Sequence, residues 1–457
     1  MFSVVWNSLF FILAIGILVA VHEWGHFWVA RRCGVKVIRF SIGFGKPLWR
    51  TTDKTGTEYV IAAIPLGGYV KMLDDRVESV NLEDSAECFN KQPVLNRIAI
   101  VAAGPIINLL FAALVLCIMY MIGVETVRPH VGTLVPNSIV ASQMQQQGKL
   151  DGAQILSINQ RTVEDWEDVN LELISSIGEP QLHFLFKSAS GTNLNMRLDI
   201  TSWQFDPDKQ STIRSLGIQP FRPAVTNELA FISEDSPAQA IGLQKGDKIL
   251  GLNGTPMQTW TQIVEHIGDR PNQAITVELI RNHEMMVLQG QLGSRKVNIN
   301  GYETHQGYLG VVPLSEPWPE SQQITQRYSL VNALFKALKK TWRLITLSFE
   351  MIGKLVVGDL SVKNLSGPIS IAQGAGTSAS YGVVYFLSFL ALISVNLGII
   401  NLLPLPVLDG GHLMYYFVEL FTGRPVSEQV QQIGYAIGAS ALFVLMSIAL
   451  FNDFARL

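Results

Sequence analysis

Residues 20–30 read AVHEWGHFWVA, two histidines and a glutamate inside an otherwise apolar run. Ionisable groups are expensive in hydrocarbon and mark function where they occur there. The run belongs to an apolar block, Val4–Ala30, long enough to cross a bilayer as a helix, which takes about 20 residues. On a helix the His-Glu-x-x-His spacing sets His22 and His26 one turn apart on one face, within reach of a single metal ion. Glu23 then projects beside them, where it can take a proton from water activated by the metal. The plainer reading is three polar groups snorkelling toward the interface beside Arg31.

Three more blocks have the length of a span: Ile98–Val124, Val383–Leu403 and Ile433–Phe451. Composition agrees with a membrane protein. Hydrophobic residues make up 48% and charged residues 16%, against about 25% charged in a soluble domain. No Lys or Arg precedes the first block, and it outruns a signal-peptide core, so it reads as a retained span. Net charge is -3, which gives no footing for nucleic acid, and none is expected as a partner. Cys33, Cys88 and Cys117 have neither metal nor disulfide spacing and read as reduced thiols. Arg31, Arg32, Lys36, Arg39, Lys46 and Arg50 crowd the segment after the first block, which puts residues 31–97 in the cytoplasm. The N-terminus, the segment 125–380 and the C-terminus then lie outside.

The outer segment repeats itself. DGAQILSINQRTVEDW (151–166) aligns without gaps with KGDKILGLNGTPMQTW (245–260), matching Gly152 to Gly246, Asn159 to Asn253 and Trp166 to Trp260. Each copy later reaches a similar strand, SLGIQP at 215 and YLGVVP at 308. The pattern resembles a circularly permuted PDZ domain, a module that takes extended peptides by strand addition. The first copy carries Ala153 where the second has Asp247, which puts its ligand binding in question. A pair of volume-filling spacers is the plainer alternative. Beyond the copies, residues 329–355 carry Leu330, Leu334, Leu338 and Trp342 at helical spacing with a cluster of Lys and Arg. This helix either lies on the membrane surface or packs on the modules. In the cytoplasmic segment, Tyr59–Ile64 and Tyr69–Met72 suit strands, with Pro65, Gly67 and Gly68 turning between them. Such a hairpin dips into the interface and offers an edge to an extended peptide, or is merely structural.

The expected fold is a polytopic α-helical membrane protein with about four transmembrane helices, a membrane-associated β-hairpin and two inserted extracytoplasmic PDZ-like α+β domains. The expected parts are a first span (1–30), the β region (31–97), a second span (98–124), the two PDZ-like domains (125–221 and 222–316) and the amphipathic helix with its linker (317–379). A third span with a metal-ligand motif (380–412), then a loop and fourth span (413–457), complete the chain.

A catalytic zinc takes three protein ligands and keeps one position open. No acid or histidine follows the first span closely; Asp53 and Glu58 lie beyond it. NLGIINLLPLPVLDGGH (396–412) breaks the third block with prolines and then supplies Asp409 at a compatible depth, with His412 as a rival. These features together are similar to the site-2 protease family: HExxH in a first span, Asn-x-x-Pro-x-Pro-x-x-Asp-Gly-Gly in a late span and PDZ copies between them. RRCGVKVIRFSIGFGKPLWR (31–50) and LSGPISIAQGAG (365–376) resemble its Gram-negative members that act in the sigma-E stress response.

The resemblance implies an intramembrane metalloprotease with Zn²⁺ held by His22, His26 and Asp409, and Glu23 as acid/base. It implies substrate contacts at Asn396 and Asn401, and at Gly104 and Asn108 of the GPIIN stretch. Gly67 and Gly68 are expected beside substrate as well. The plainer readings are close helix packing for Gly104 and interhelical hydrogen bonds for the asparagines. Implied partners are the lipid bilayer, PDZ peptide or regulator ligands, and a single-pass substrate such as a trimmed anti-sigma factor or a remnant signal peptide. The implied site is a bacterial inner membrane, with the PDZ copies periplasmic and the active site toward the cytoplasm. The competing classes are a membrane PDZ adaptor with a closed, four-ligand structural zinc and a metal transporter, which needs a polar path through several spans.

Overall fold

The computed structural model describes residues 2–77, 79–144, 150–205, 210–299, 302–358, 361–362 and 365–456. Helix α1 (Phe2–Arg32) ends on Arg31 and Arg32, cations that suit the negative end of a helix dipole. Strands β1 (Val37–Thr52) and β2 (Glu58–Met72) follow as an antiparallel pair. Pro65, Gly67 and Gly68, expected to turn between Tyr59–Ile64 and Tyr69–Met72, lie inside the single strand β2, and the turn between β1 and β2 lies at residues 53–57. There Gly56 has φ +84 and the Asp53 carboxylate accepts from the backbone N–H of Thr55 at 2.9 Å and of Thr57 at 3.0 Å. The hydroxyl of Thr55 first, then these amides and Arg31, hold the Asp53 carboxyl well below the usual carboxylate range against the cost of burial.

The two strand-like runs of β2 do not pair with each other. Both pair with Val37–Ile42: Phe40 meets Tyr59 and Val70, and Ile42 meets Ile61 and Gly68. A central strand has two edges, so each run finds its hydrogen bonds there while residues 62–67 cross between them. Phe27, Phe40 and Tyr59 pack with ring centroids 5.5–5.9 Å apart and fasten this sheet to α1.

Helix α2 (Val94–Ile122) packs along α1. A Cβ on Gly25 of α1 would stand 2.6 Å from the carbonyl oxygen of Ala103, so only glycine allows this approach. The sequence repeat is also a structural repeat. The first copy runs α3 (Ile139–Met144), strands Gln154–Ile158 and Arg161–Thr162, α4 (Trp166–Ser175), strands Gln181–Lys187 and Asn193–Asp199, and α5 (Thr212–Ser215). The second runs α6 (Pro237–Ile241), strands Lys248–Leu252 and Thr255–Pro256, α7 (Trp260–Gly268), and strands Ala274–Arg281 and Glu284–Gln291.

The aligned asparagines have one task. Asn159 (φ 48) and Asn253 (φ 51) each adopt the left-handed turn conformation. Their side-chain oxygens accept from the backbone N–H of His183 at 2.9 Å and Thr276 at 2.7 Å, tying the turn to the next strand. Asp247 is fully buried and pairs with Arg281 at 2.7 Å, so its replacement by Ala153 in the first copy removes an internal ion pair.

The chain divides into two compact units. One holds Met1–Pro129, Leu134–Gln219 and Ile324–Leu457; the other holds His130–Thr133 and Pro220–Gln323. The first copy therefore clusters with the membrane helices, and α8 (Leu330–Val357) provides the reason. Its Ala333, Ala337 and Leu344 are buried in one apolar core with α1, α2 and the later helix at 383–402. Its Lys340 pairs with Glu167 (3.3 Å) and Asp168 (3.4 Å), its Arg343 with Glu172 (2.9 Å) and its Lys336 with Glu164. Leu338, Trp342 and Phe349 remain exposed, an apolar stripe on the third side.

The last four helices are α9 (Pro368–Ser380), α10 (Val383–Leu402), α11 (Asp409–Thr422) and α12 (Glu428–Arg456). The stretch after the third span, expected as a loop, begins as α11. Asp453 of α12 accepts from the backbone N–H of Gly367 (3.0 Å) and Ile369 (2.8 Å), capping α9. Among the described residues four helices are long and apolar enough to cross a membrane: Ser3–Arg32, Val94–Ile122, Val383–Leu402 and Glu428–Ala455. The protein is a polytopic membrane protein built on them.

Candidate metal centre

Helix α10 stops where its sequence dictates. Leu403 precedes Pro404 and is extended (φ -63, ψ 144). The chain turns through Pro404 and Pro406 and restarts at Asp409, in the first turn of α11, where the helix dipole favours a carboxylate. The restart is tight. A Cβ on Gly410 would overlap the backbone of Leu402 and Leu403, and one on Gly411 would overlap Pro406. The two glycines let α11 fold back on its own turn, which brings Asp409 to α1.

His22 and His26 face that carboxylate. Their Nε2 atoms are 3.2 Å apart, and Asp409 Oδ2 stands 3.2 Å from His22 Nε2 and 3.4 Å from His26 Nε2. The three form a metal-capable cluster. Zinc bonds of about 2.0–2.1 Å in tetrahedral geometry put neighbouring donors about 3.3–3.4 Å apart, so this triangle has the right edge. Asp409 Oδ2 is buried without a hydrogen-bond partner, a costly state for a carboxylate that a bound cation relieves. The residues fit a metal ion.

Helix α2 backs both imidazoles. His26 Nδ1 donates to the Ile100 carbonyl at 2.9 Å, which leaves Nε2 as a free donor of electrons. Gly104 faces the rings: a Cβ there would overlap His26 Nε2 and stand 2.8 Å from His22 Cε1. Asn108, one turn on, is fully buried with Nδ2 3.1 Å from His22 Nδ1. Glu23 lies on the strand side, beside Gly68 of β2. A Cβ on Gly68 would come within 3.0 Å of Glu23 Cγ and 2.6 Å of the Ser41 carbonyl oxygen, so glycine brings β2 against the glutamate. Gly67 packs instead on the Phe44 ring.

A cavity of about 500 Å³ opens from the cluster, lined by His22, Glu23, His26 and Asp409 at one side and Arg76, Arg97, Glu419 and Tyr435 at the other. Arg97 and Glu419 form a two-pronged ion pair (2.6 and 3.1 Å) that joins α2 to α11. Burial pushes the Asp74 carboxyl up, but its bonds from Arg76 outweigh that and hold it below the usual range. His412 turns away to Tyr435, with Nε2 2.8 Å from the phenol oxygen. Asn396 accepts from Ser348 of α8 at 3.0 Å, and Asn401 sits half-buried in the last turn of α10. Sequence reasoning missed Arg97–Glu419 and Asp453. Arg97 and Asp453 each border an apolar block, Ile98–Val124 and Ile433–Phe451, a signal related to the one at His22, which lies within its block.

The comparisons with known proteins follow the same lines. The chain matches Peptidase family M50 over residues 10–445. It is 49% identical to Protease RseP of Yersinia pestis and 46% identical to Regulator of sigma-E protease RseP of Escherichia coli strain K12, each over 100% of both chains. It is also 46% identical, over 100% of both chains, to a protein of Vibrio cholerae named Putative zinc metalloprotease. A metal-capable His-His-Asp cluster with a glutamate beside it, set among bilayer-length helices, is thus joined by full-length kinship: the chain belongs to peptidase family M50, the site-2 protease family, and is a metalloprotease.

Proposed function

We propose that the chain is a zinc-dependent intramembrane endopeptidase that cuts single-pass proteins in their transmembrane segment. The observation that carries this is the near-equilateral triangle of His22, His26 and Asp409 donors with Glu23 beside it. These three residues hold the ion. Zinc, when bound there, polarises the scissile carbonyl and acidifies the attacking water. Glu23 takes the proton from that water and later delivers one to the leaving amine. The cavity supplies water from the Arg97–Glu419 side.

A helical substrate must first unwind, because its carbonyls are already bonded within the helix. The β2 edge at Gly68–Val70 receives the unwound segment as an added strand, and Asn401 and Asn396 hold its backbone from α10. The two repeat modules act as PDZ-like filters outside the membrane, excluding substrates whose outer domains have not been removed. A relative named as a regulator of sigma-E supports that response as the setting, and the substrate read here is an anti-sigma factor trimmed by an earlier cut, with remnant signal peptides as further ones. The site of action is then the bacterial inner membrane, with the modules periplasmic. A structural zinc in a membrane adaptor needs a fourth protein donor, and His412 is engaged with Tyr435.

The test is Glu23→Gln in purified protein with a model transmembrane substrate. Zinc content stays at the native level while cleavage falls about 10²–10⁴-fold. Undiminished cleavage removes Glu23 from the acid/base role.

A further inference from the structure

Asn108 is expected from resemblance to touch substrate, yet it has no exposed surface and its side chain meets His22. Three observations bear on what it does there. When His22 Nε2 points at the metal triangle, the ring proton sits on Nδ1, so the atom facing Nδ1 must accept. The neighbour at 3.1 Å is the Asn108 carboxamide. Its Oδ1 is buried without a partner. Oxygen and nitrogen of a carboxamide are isosteric, so a half-turn of the group sets Oδ1 against Nδ1–H and gives that oxygen a donor.

The backbone holds the amide in register. Ser394 Oγ of α10 donates to the Asn108 carbonyl at 2.7 Å, and a Cβ on Gly398 would stand 3.0 Å from the Pro105 carbonyl oxygen, so α2 and α10 are locked at this turn. Gly104 one turn earlier leaves the space the two rings occupy. His26 already has its counterpart in the Ile100 carbonyl.

We propose that Asn108 is a positioning residue for the metal centre: its side-chain oxygen accepts from His22 Nδ1–H, fixing the tautomer and ring angle that aim Nε2 at zinc. The two ligand histidines are then oriented by one helix, His26 through a backbone carbonyl and His22 through a side chain. This rests on the zinc-site reading above. Asn108 accordingly affects how tightly the metal is held, and it does not contact the peptide being cut.

The experiment measures zinc affinity by chelator competition on the full-length detergent-purified protein, with thermal stability of the metal-free form and kcat and KM beside it. Asn108→Leu fills the same volume without an acceptor and binds zinc about 10–100-fold more weakly. Its metal-free form stays near native stability, because without the ion His22 can carry its ring proton on Nε2, 3.2 Å from the Asp409 carboxylate, rather than leave Nδ1–H unpaired. Asn108→Asp restores an acceptor and binds zinc at least as tightly as native. Native affinity in Asn108→Leu, or a raised KM with zinc binding intact, overturns the proposal. If Asn108→Leu does not fold, Asn108→Asp decides: affinity at or above native supports the role, and a tenfold loss overturns it. Native protein that binds no zinc sinks the zinc-site reading itself, which is a different result from native protein binding zinc and Asn108→Leu doing the same.

Discussion

Asp409 and Gly104 carry separable predictions because they serve the cluster in different ways. Asp409 supplies the only carboxylate in the donor triangle. Asp409→Asn therefore lowers zinc affinity by more than the roughly 10–100-fold typical of outer partners, read by chelator competition. Unchanged stoichiometry and affinity would remove it from the ligand set. Gly104 supplies only space. In Gly104→Ala the new methyl overlaps His26 Nε2, so one ring must move, at a cost of about 1–3 kcal/mol. The expected result is weakened zinc binding with native helix content; full affinity would mean that α2 gives way instead. At this scale HExxH was legible because both histidines lie on one local helix. The partners of those histidines were not, because Ile100 and Asn108 are 74 and 86 residues away from their imidazoles.

At the scale of elements, α8 and α4 meet through charge. Asp165 caps α4 by accepting from the Asp168 backbone N–H at 2.9 Å, and its other oxygen accepts from Gln326 at 3.2 Å. Burial, then the neighbouring Asp168 charge, pushes its carboxyl up to about 6. An acid with a higher pKa folded than unfolded penalises the fold when ionised. This contact is thus strengthened as pH falls through about 6 and weakened above it. Asp165→Asn keeps a capping oxygen and removes the penalty. Its Tm at pH 8 should rise by roughly 2–4 °C, with a flatter profile between pH 5 and 8 than native. An unchanged profile would show that Asp165 titrates normally. The helical spacing of residues 329–355 announced an amphipathic helix but left its partner open. The acidic face of α4 lies more than 150 residues earlier, and no periodicity in α8 names it.

On the whole molecule, residues Pro220–Gln323 form one compact unit together with His130–Thr133, whereas the first copy clusters with the membrane helices. Excising 222–316 with a short linker should leave zinc content and the thermal transition of the remaining protein at native levels. If the modules filter substrates, cleavage of an untrimmed substrate rises while that of a trimmed one stays constant. Loss of zinc or of folding on excision would show that the second copy supports the membrane unit.

Local chemistry alone determined much of this protein. Apolar length gave four spans, HExxH gave two candidate ligands and a candidate base, Pro and Gly gave the break before Asp409, and the gapless alignment gave the repeated module. These are properties of neighbours in the chain: hydropathy, helical phase and turn preference. Tertiary structure decided what joins across it. It set both runs of β2 against one central strand, because hydrogen-bond partners are chosen by available edges and not by proximity in sequence. It closed the donor triangle to 3.2–3.4 Å through glycines at helix crossings, and it turned His412 toward Tyr435. Such distances depend on how closely two backbones pack, and no single segment carries that information.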